Sequence, residues 1–379
     1  MELLIDREIT GAREVFGAYG DVRLFDGREL GRAGIGRAEA LLVRSVTRVN
    51  EALLGGSRVR FVGTATAGTD HLDIDWLRAA GITVADAAGC NAQAVAEHVM
   101  CCLYRYAARR GCDVCDLQLG IVGYGHVGRA LAALATGIGV PWLANDPPLA
   151  AGSADVPHTE LAALLDRSDV VSLHVPLEHA GPHATADLLG ATELARLRPG
   201  GLLINAARGG VVDEAALVAA INGPRRLLAA LDCWCGEPRV ATATLAACWL
   251  ASPHIAGHTR EARANASLRL AAALGAWSGR DVRPPDLLAA TPAATLRTGA
   301  GGVAGVLAQA HDLAAHTARM RALGAHHTDD GRAASFDADR RRFGLRREFT
   351  SHVVACAGCN PDTVAELDTL GFTCRDDRA

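Results

Sequence analysis

Short apolar runs, bounded by polar or glycine-rich turns, alternate along the chain with longer segments whose apolar positions recur at helical spacing. The runs that we interpret as strands span residues 3–5, 22–25, 40–43, 60–63, 119–122, 140–144, 169–176, 202–206, 227–231 and 249–253. Residues 94–109 predict a long buried helix. Strands that alternate with helices predict an α/β fold with open parallel sheets, in which ligands bind beyond the carboxyl ends of the strands.

A glycine motif, G-x-G-x-x-G, lies where the run 119–122 meets a predicted helix over 127–136. Gly123 allows a tight turn, Gly125 lets the backbone approach a pyrophosphate, and Gly128 lets the helix pack close to the strand. The helix N-terminus offers N–H groups to phosphates. We therefore predict a dinucleotide-binding loop that consists of Gly123, Tyr124, Gly125, His126, Val127 and Gly128. The alternative is a glycine-rich turn in an α/β protein that binds no dinucleotide.

A carboxylate, Asp146, follows the next apolar run, 140–144. At the end of that strand it can accept hydrogen bonds from the ribose hydroxyls of adenosine, and it repels a 2′-phosphate. The sequence therefore predicts NAD as the cofactor in preference to NADP.

Two strands of the first quarter of the chain end in loops rich in hydroxyl groups and glycine. Arg44 and Ser45 follow the run 40–43, and Thr66 follows the run 60–63. Such side chains suit a small anionic ligand. The alternative is that Ser45 and Thr66 only cap helices.

Three ends of predicted strands in the nucleotide-binding region present Arg208, Glu237 and His254 on the same side of one sheet. Arg can bind a carboxylate through two hydrogen bonds, His can accept a proton from a hydroxyl, and Glu can fix the His tautomer. Beside a nicotinamide, these groups suit the oxidation of a 2-hydroxy acid. Each residue alone is equally compatible with a salt bridge or a place in the core.

Three stretches, NAARGGVVDEAAL, LDCWCGEP and SPHIAGHT, resemble the signature blocks of the D-isomer-specific 2-hydroxyacid dehydrogenases. The resemblance covers most of the chain and extends further toward a branch that acts on a phosphorylated four-carbon 2-hydroxy acid. It implies a Rossmann-type NAD domain, a flavodoxin-like substrate domain and a C-terminal dimerisation domain, hence a homodimer. It also implies that Arg208, Glu237 and His254 are the catalytic residues.

The same resemblance implies further ligand contacts. Those with NAD are implied at Asp146, Val175, Asp232 and Gly257. Those with the substrate are implied at Ser45, Thr66 and His258. Position 175 is usually Thr in these relatives and position 258 is usually Tyr, so Val175 offers only its backbone and His258 brings an imidazole.

A double proline at residues 284–285 predicts a domain boundary. We expect residues 1–93 and 256–280 to form the substrate domain, residues 94–255 the NAD domain, and residues 281–379 a C-terminal α+β domain. In that last part, strands are predicted at 352–356 and 371–373, and TPAATLRTGAGG is predicted to be a loop. The arginines at 340–342 and 346–347 are interpreted as a solvated face, with contact to an anion at a partner's active site as the alternative.

Composition limits the partners and the chemistry. None of the 38 basic residues is Lys, so a lysine Schiff base is excluded and anions must be bound by Arg, hydroxyl or backbone N–H groups. A net charge of −4 predicts no general attraction to nucleic acid or to an anionic membrane. With no signal-peptide pattern and no apolar run of membrane-spanning length, we expect a cytoplasmic protein.

The 11 Cys are expected to be reduced thiols. They include two C-x-x-C pairs, Cys112/Cys115 and Cys356/Cys359, but no His or Cys cluster completes either pair. We therefore predict no metal site.

The leading interpretation is an NAD-dependent dehydrogenase for a small 2-hydroxy acid that carries a phosphate remote from the reacting carbon. Because Arg208 would bind the carboxylate, the phosphate needs its own donors, which the loops at Arg44, Ser45 and Thr66 provide. The alternatives are another D-2-hydroxyacid dehydrogenase, acting on glycerate or phosphoglycerate, and an NAD-sensing protein without turnover.

Overall fold

The computed structural model describes residues 1–153, 155–288, 294–299, 301–326, 328–342 and 346–376. The chain divides into two compact units. The first unit comprises Met1–Asn91 and Thr259–Pro292, and the second comprises Ala92–His258 and Ala293–Ala379. The first unit is thus built from two separate stretches of the chain.

The described strands include two that the sequence analysis does not predict, Thr83–Ala85 and Ala294–Arg297. In chain order, the strands are β1 (Glu2–Asp6), β2 (Asp21–Phe25), β3 (Ala40–Val43), β4 (Phe61–Thr64), β5 (Thr83–Ala85), β6 (Leu119–Val122), β7 (Trp142–Asn145), β8 (Val170–Leu173), β9 (Leu202–Asn205), β10 (Leu228–Leu231), β11 (Leu250–Ala251), β12 (Ala294–Arg297), β13 (His352–Ala355) and β14 (Thr373–Arg375). Each missed strand contains a single large apolar residue, Val84 or Leu296, so neither forms an apolar run.

The α-helices separate these strands. In chain order, they are α1 (Ala12–Phe16), α2 (Glu51–Leu54), α3 (Ile74–Ala79), α4 (Ala92–Arg110), α5 (His126–Ile138), α6 (Pro147–Gly152), α7 (Leu161–Arg167), α8 (Ala191–Leu194), α9 (Glu214–Asn222), α10 (Thr242–Ala247), α11 (Arg260–Ser278), α12 (Gly302–Ala310), α13 (Leu313–Ala322), α14 (Asp329–Arg342) and α15 (Pro361–Leu370). In the described part of the chain, none of the helices is long and apolar enough to cross a membrane.

The sheet of the first unit is parallel, with the strand order β2-β1-β3-β4-β5. This is the flavodoxin-like order, so the fold predicted for the substrate domain is confirmed. The order reverses between β1 and β3, the point at which doubly wound sheets bind ligands. Helix α11 covers one face, where Leu270 and Leu274 pack with Leu3, Ile5 and Phe61.

The sheet of the second unit is also parallel, with the order β11-β10-β9-β8-β6-β7. Its order reverses between β6 and β8, and this doubly wound arrangement confirms the predicted Rossmann-type fold. Helices α4 and α5 bury Leu103, Tyr106 and Leu131 in the cluster that contains Ile121 of β6. Apolar side chains of both helices therefore pack beneath the reversal point.

The C-terminal part of the second unit contains a third sheet, of parallel strands in the order β12-β13-β14. The prediction of a loop at TPAATLRTGAGG is wrong for Ala294–Arg297, which form β12 and pair with β13. The glycines that follow this strand gave the stretch the composition of a loop. Because helices separate the three parallel strands, this part follows an α/β plan where the sequence predicts α+β.

The third sheet shares its hydrophobic core with the NAD-binding region. Leu296, Val306, Phe349 and Leu367 belong to the same buried cluster as residues of α4 and β6. This sharing explains why residues 293–379 group with the second unit. Removal of the C-terminal part would expose that core, and its role in dimerisation stays a prediction.

Candidate active site

The glycine loop joins β6 to α5 at the reversal point of the second sheet. Gly123 has a φ of +94°, and a Cβ there would lie 2.6 Å from the carbonyl oxygen of His174. A Cβ at Gly128 would lie 2.1 Å from the carbonyl oxygen of Gly123. A Cβ at Gly125, by contrast, would meet no atom within 4 Å. The first and third glycines thus permit tight packing, and the second faces open space at the N-terminus of α5, where a pyrophosphate can approach.

Asp146 lies beside this loop, at the end of β7. Its Oδ2 accepts the N–H of Tyr124 at 2.8 Å, and its Oδ1 accepts the N–H of Leu149 at 3.1 Å. Each oxygen retains acceptor capacity for a ribose hydroxyl. The loop, the open helix N-terminus and the carboxylate therefore fit NAD, and they do not fit a 2′-phosphate.

A cavity of about 420 Å³ borders the glycine loop and α6. Tyr124, on its wall, stacks against Trp142 with 5.7 Å between ring centroids. The guanidinium of Arg129 lies 5.1 Å from the centroid of Tyr124. The cavity thus offers flat and apolar surfaces next to Asp146.

Two other implied NAD contacts, Val175 and Gly257, are half-buried. The Cγ1 of Val175 lies 3.0 Å from the position that a Cβ on Gly123 would take, so Val175 borders the glycine loop. Gly257 precedes His258, whose N–H donates to the carbonyl of Ile255 at 2.8 Å.

Arg208 follows β9 in a loop that packs against the end of β10. The Nδ2 of Asn205 donates to the carbonyl of Arg208, and the Nη1 of Arg208 donates to the carbonyl of Ala207, each at 2.8 Å. A Cβ at Gly209 would lie 2.1 Å from the carbonyl carbon of Trp234. The loop with Arg208 therefore abuts the loop that leads to Glu237.

Glu237 and His254 form a hydrogen-bonded pair. The Oε1 of Glu237 contacts the Nδ1 of His254, and its Oε2 accepts the N–H of Trp234 at 3.1 Å. The side chains are 24% and 26% exposed, respectively, so solvent and substrate can reach them. Because Nδ1 donates to the carboxylate, the lone pair of the neutral imidazole lies on Nε2, which is the atom that can accept a proton.

Asp232, implied as an NAD contact, is buried beneath the segment of His254. Its Oδ1 accepts the hydroxyl of Ser252 at 2.6 Å and the N–H of Ile255 at 2.8 Å, and its Oδ2 accepts the N–H of Ala256 at 2.8 Å. Burial opposes ionisation, but His98, His254 and these hydrogen bonds outweigh it and lower the pKa of Asp232. The carboxylate thus holds the backbone around His254, which has the rare φ of +56°.

A residue of the C-terminal part, Arg346, holds the same segment from another side. Its Nη2 donates to the carbonyls of Ala94 and Ala256, each at 2.8 Å, and its Nη1 lies 3.5 Å from Oε2 of Glu97. The interpretation of a solvated face is wrong here, since the Arg346 side chain is only 8% exposed. Burial raises the pKa of Glu97 to about 8, although Arg346 opposes that shift.

In the first unit, the predicted substrate contacts lie at the carboxyl ends of β3 and β4. The Nε of Arg44 donates to Oδ2 of Asp6 at 3.0 Å, and Ser45 is exposed. The hydroxyl of Thr66 donates to the carbonyl of Gly68 at 2.8 Å, so its proton is used within its own loop.

The alternative that these hydroxyl residues only cap helices is wrong. Helix α2 is capped by Asn50 and helix α3 by Asp73. Ser45 and Thr66 lie outside both caps, in loops that follow their strands directly.

The cysteines and the other metal-binding side chains do not form a metal centre in the described residues. No group of three or more His, Cys, Asp or Glu there is arranged to hold a metal ion. All 11 Cys, including both C-x-x-C pairs, are free thiols.

Comparison with known proteins assigns the family. Residues 88–256 match the model of the NAD-binding domain of D-isomer-specific 2-hydroxyacid dehydrogenases, and the chain belongs to that family. It is 39% identical to the erythronate-4-phosphate dehydrogenase of Edwardsiella ictaluri, over 99% of this chain and 100% of that protein. It is 40% identical to the erythronate-4-phosphate dehydrogenase of Pseudomonas aeruginosa, over 94% and 96% of the two chains.

Solved structures of two other dehydrogenases have a similar fold. The NAD-bound 3-phosphoglycerate dehydrogenase of Entamoeba histolytica has a TM-score of 0.62 and 24% identity, over 75% of this chain and 97% of that chain. The D-lactate dehydrogenase of Aquifex aeolicus, solved with NAD and lactic acid, has a TM-score of 0.59 and 23% identity, over 74% and 96%. At these identities the likeness concerns the fold alone.

Proposed function

We propose that the chain oxidises 4-phospho-D-erythronate to 2-oxo-3-hydroxy-4-phosphobutanoate with NAD, in the formation of pyridoxal 5′-phosphate. The observation that carries the proposal is the Glu237–His254 pair, next to a loop that presents Arg208. An identity of 39% over 99% of the chain, to a protein named for this activity, supports the choice of substrate.

The three side chains have separate roles in the proposed reaction. Arg208 binds the carboxylate of the substrate and thereby orients C2. The Nε2 of His254 accepts the proton of the C2 hydroxyl, and Glu237 stabilises the imidazolium that forms. Bound NAD supplies the acceptor for the hydride that leaves C2. The glycine loop and Asp146 would hold this cofactor.

We assign the remote phosphate to the first unit. Since Arg208 is occupied by the carboxylate, a second anionic group needs other donors. Arg44 offers a half-buried guanidinium and Ser45 an exposed hydroxyl. Thr66 and His258 belong to the same proposal through the family resemblance.

Initial rates of NADH formation with four acids test the proposal. The acids are 4-phospho-D-erythronate, D-erythronate, 3-phospho-D-glycerate and D-glycerate. We expect the first to have the highest kcat/KM. A preference for 3-phospho-D-glycerate would favour the alternative dehydrogenase, and binding of NAD without turnover of any acid would identify an NAD sensor.

We also propose that the protein is a cytoplasmic homodimer and that residues 281–379 contribute to its interface. Two-fold dimers are the commonest closed assembly of a single chain. Because the C-terminal part shares the core of the second unit, the test uses the full chain. Sedimentation velocity should give the mass of a dimer, and a monomer at micromolar concentration would contradict the proposal.

A further inference from the structure

The reversal point of the first sheet carries a buried carboxylate that fixes a guanidinium. Asp6, at the end of β1, is fully buried. Its Oδ1 accepts the N–H of Glu8 at 2.9 Å, and its Oδ2 accepts Nε of Arg44 at 3.0 Å. In the described part of the chain, neither terminal nitrogen of Arg44 donates a hydrogen bond.

A second guanidinium reaches the same turn from α11. The Nη2 of Arg263 donates to the carbonyl of Glu8 at 3.0 Å. One turn further along α11, the hydroxyl of Ser267 donates to the carbonyl of Thr10 at 2.7 Å. These two contacts fix the helix against the β1–α1 turn and so fix the position of Arg263.

Two carboxylates lie near the two guanidiniums of this cluster. Asp6 is buried next to Arg44 and Arg263, and Glu8, which also acts on Arg263, is exposed. Burial and the neighbouring Arg44 lower the pKa of Arg263, which is the direction expected when two cations lie close together. Among the described residues, Arg44 donates only through Nε and Arg263 only through one Nη2 bond. Most of their N–H groups therefore have no acceptor in the part of the protein that the structure describes, and an anion can accept them.

We propose that Arg263 is a second phosphate ligand, which acts with Arg44 to bind the remote phosphate of the substrate. This inference rests on the proposed function, because it adds a donor to the phosphate site of that reaction. A phosphate presents several acceptor oxygens, and paired guanidiniums match them in charge and geometry. With no Lys in the chain, Arg is the only permanently cationic side chain that can do so.

Steady-state kinetics of three variants test this assignment. Arg263→Ala should raise KM for 4-phospho-D-erythronate about 10- to 100-fold, as expected for loss of a charge-assisted hydrogen bond. It should leave kcat and the weak turnover of D-erythronate nearly unchanged. Arg263→Lys should restore part of the loss, because it keeps the charge. The control is Arg269→Ala, since Arg269 is exposed on the same helix.

Thermal shifts with inorganic phosphate give a readout that does not depend on turnover. Phosphate should raise the Tm of the wild type and of Arg269→Ala, and it should raise that of Arg263→Ala and Arg44→Ala much less. If Arg263→Ala kept the wild-type preference for the phosphate ester and the wild-type shift, the assignment would be overturned.

These two measurements separate the inference from the proposed function. If the wild type used another phosphorylated acid, while both readouts still depended on Arg263, the substrate of the proposed function would be wrong and the phosphate site would stand. If the wild type preferred 4-phospho-D-erythronate and Arg263→Ala did not change that preference, the proposed function would stand without this ligand.

Discussion

The two large sheets of this protein follow one plan and carry different chemistry. Both are parallel and doubly wound, and each reverses its strand order beside its first strand. At the reversal in the second unit lies a glycine turn that leads into a long helix, and neighbouring strands end in an acid–base pair. At the reversal in the first unit lie guanidinium groups around a buried carboxylate. The fold thus fixes where ligands bind, and the residues after each strand decide what is bound.

The two regions also differ in how firmly their residues are held. In the second unit, the segment of His254 is held by Asp232 and by Arg346. In the first unit, Arg44 is held through one nitrogen, and Ser45 is exposed. We infer that the second unit determines the rate of the chemical step and that the first determines which acid is bound.

The largest effect is expected from His254→Ala, which removes the proton acceptor. General-base catalysis contributes about 10²–10⁴ in rate, so kcat should fall by that factor while the Kd for NADH stays within twofold. Stopped-flow rates and NADH fluorescence titration measure the two quantities. His179→Ala, at an exposed histidine, is the control. Normal turnover by His254→Ala would disprove the assignment.

A smaller but still large effect is expected from Arg346→Met. At about pH 9, above the pKa of Glu97, the change leaves an ionised and buried carboxylate without its cation, which commonly costs about 3–5 kcal/mol. It also removes a donor to the carbonyl of Ala256. Urea unfolding should show the loss of stability, and kcat should fall with it. Adding Glu97→Gln should recover part of the stability. If Arg346→Met were as stable as Arg341→Met, at an exposed position, the ion pair would have no structural role.

Replacement of Asp146 by Ala tests whether this carboxylate makes the second unit prefer NAD to NADP. The carboxylate both repels a 2′-phosphate and accepts the N–H of Tyr124. The variant should therefore bind NAD more weakly, and the ratio of kcat/KM for NAD to that for NADP should fall about tenfold, equivalent to ~1.4 kcal/mol. An unchanged ratio would mean that another group excludes NADP.

A further effect is expected in the dependence of stability on pH. Burial raises the pKa of Glu97 from 4.5 to about 8, so the folded protein keeps a proton that the unfolded chain releases between these values. Stability should therefore fall as the pH rises through this window. Urea midpoints across the window measure the slope, and Glu97→Gln should flatten it. A steeper slope in that variant would contradict the assignment to Glu97.

Much of this architecture follows from local sequence. Apolar runs of four or five residues predict β3 and β6 at their observed limits, and the glycine spacing predicts a loop whose contacts only glycine allows. These features are predictable because each depends on neighbouring residues in one stretch of chain. The proposed catalytic residues are found in the same way, since each lies in the loop that follows a strand.

The contacts around His254 were not predictable in that way. Arg346 lies in a run of charged residues, a pattern that is typical of a solvated surface, yet its partners Ala94 and Glu97 lie on α4. No local periodicity marks a pair so far apart along the chain. Asp232 likewise lies at the end of a strand, a position that is typical of ligand contacts. Its carboxylate instead accepts the N–H groups of Ile255 and Ala256, which follow a later strand of the chain.

The contact between Arg346 and Ala256 has a consequence for the order in which the protein is made. A ribosome completes β6 to β11 long before it reaches residue 346. Throughout that interval the nascent chain contains all the strands of the second sheet, but the carbonyl of Ala256 lacks the guanidinium that it binds in the finished protein. The segment of His254 therefore reaches its final set of contacts only near the end of translation, after most of the polypeptide has emerged.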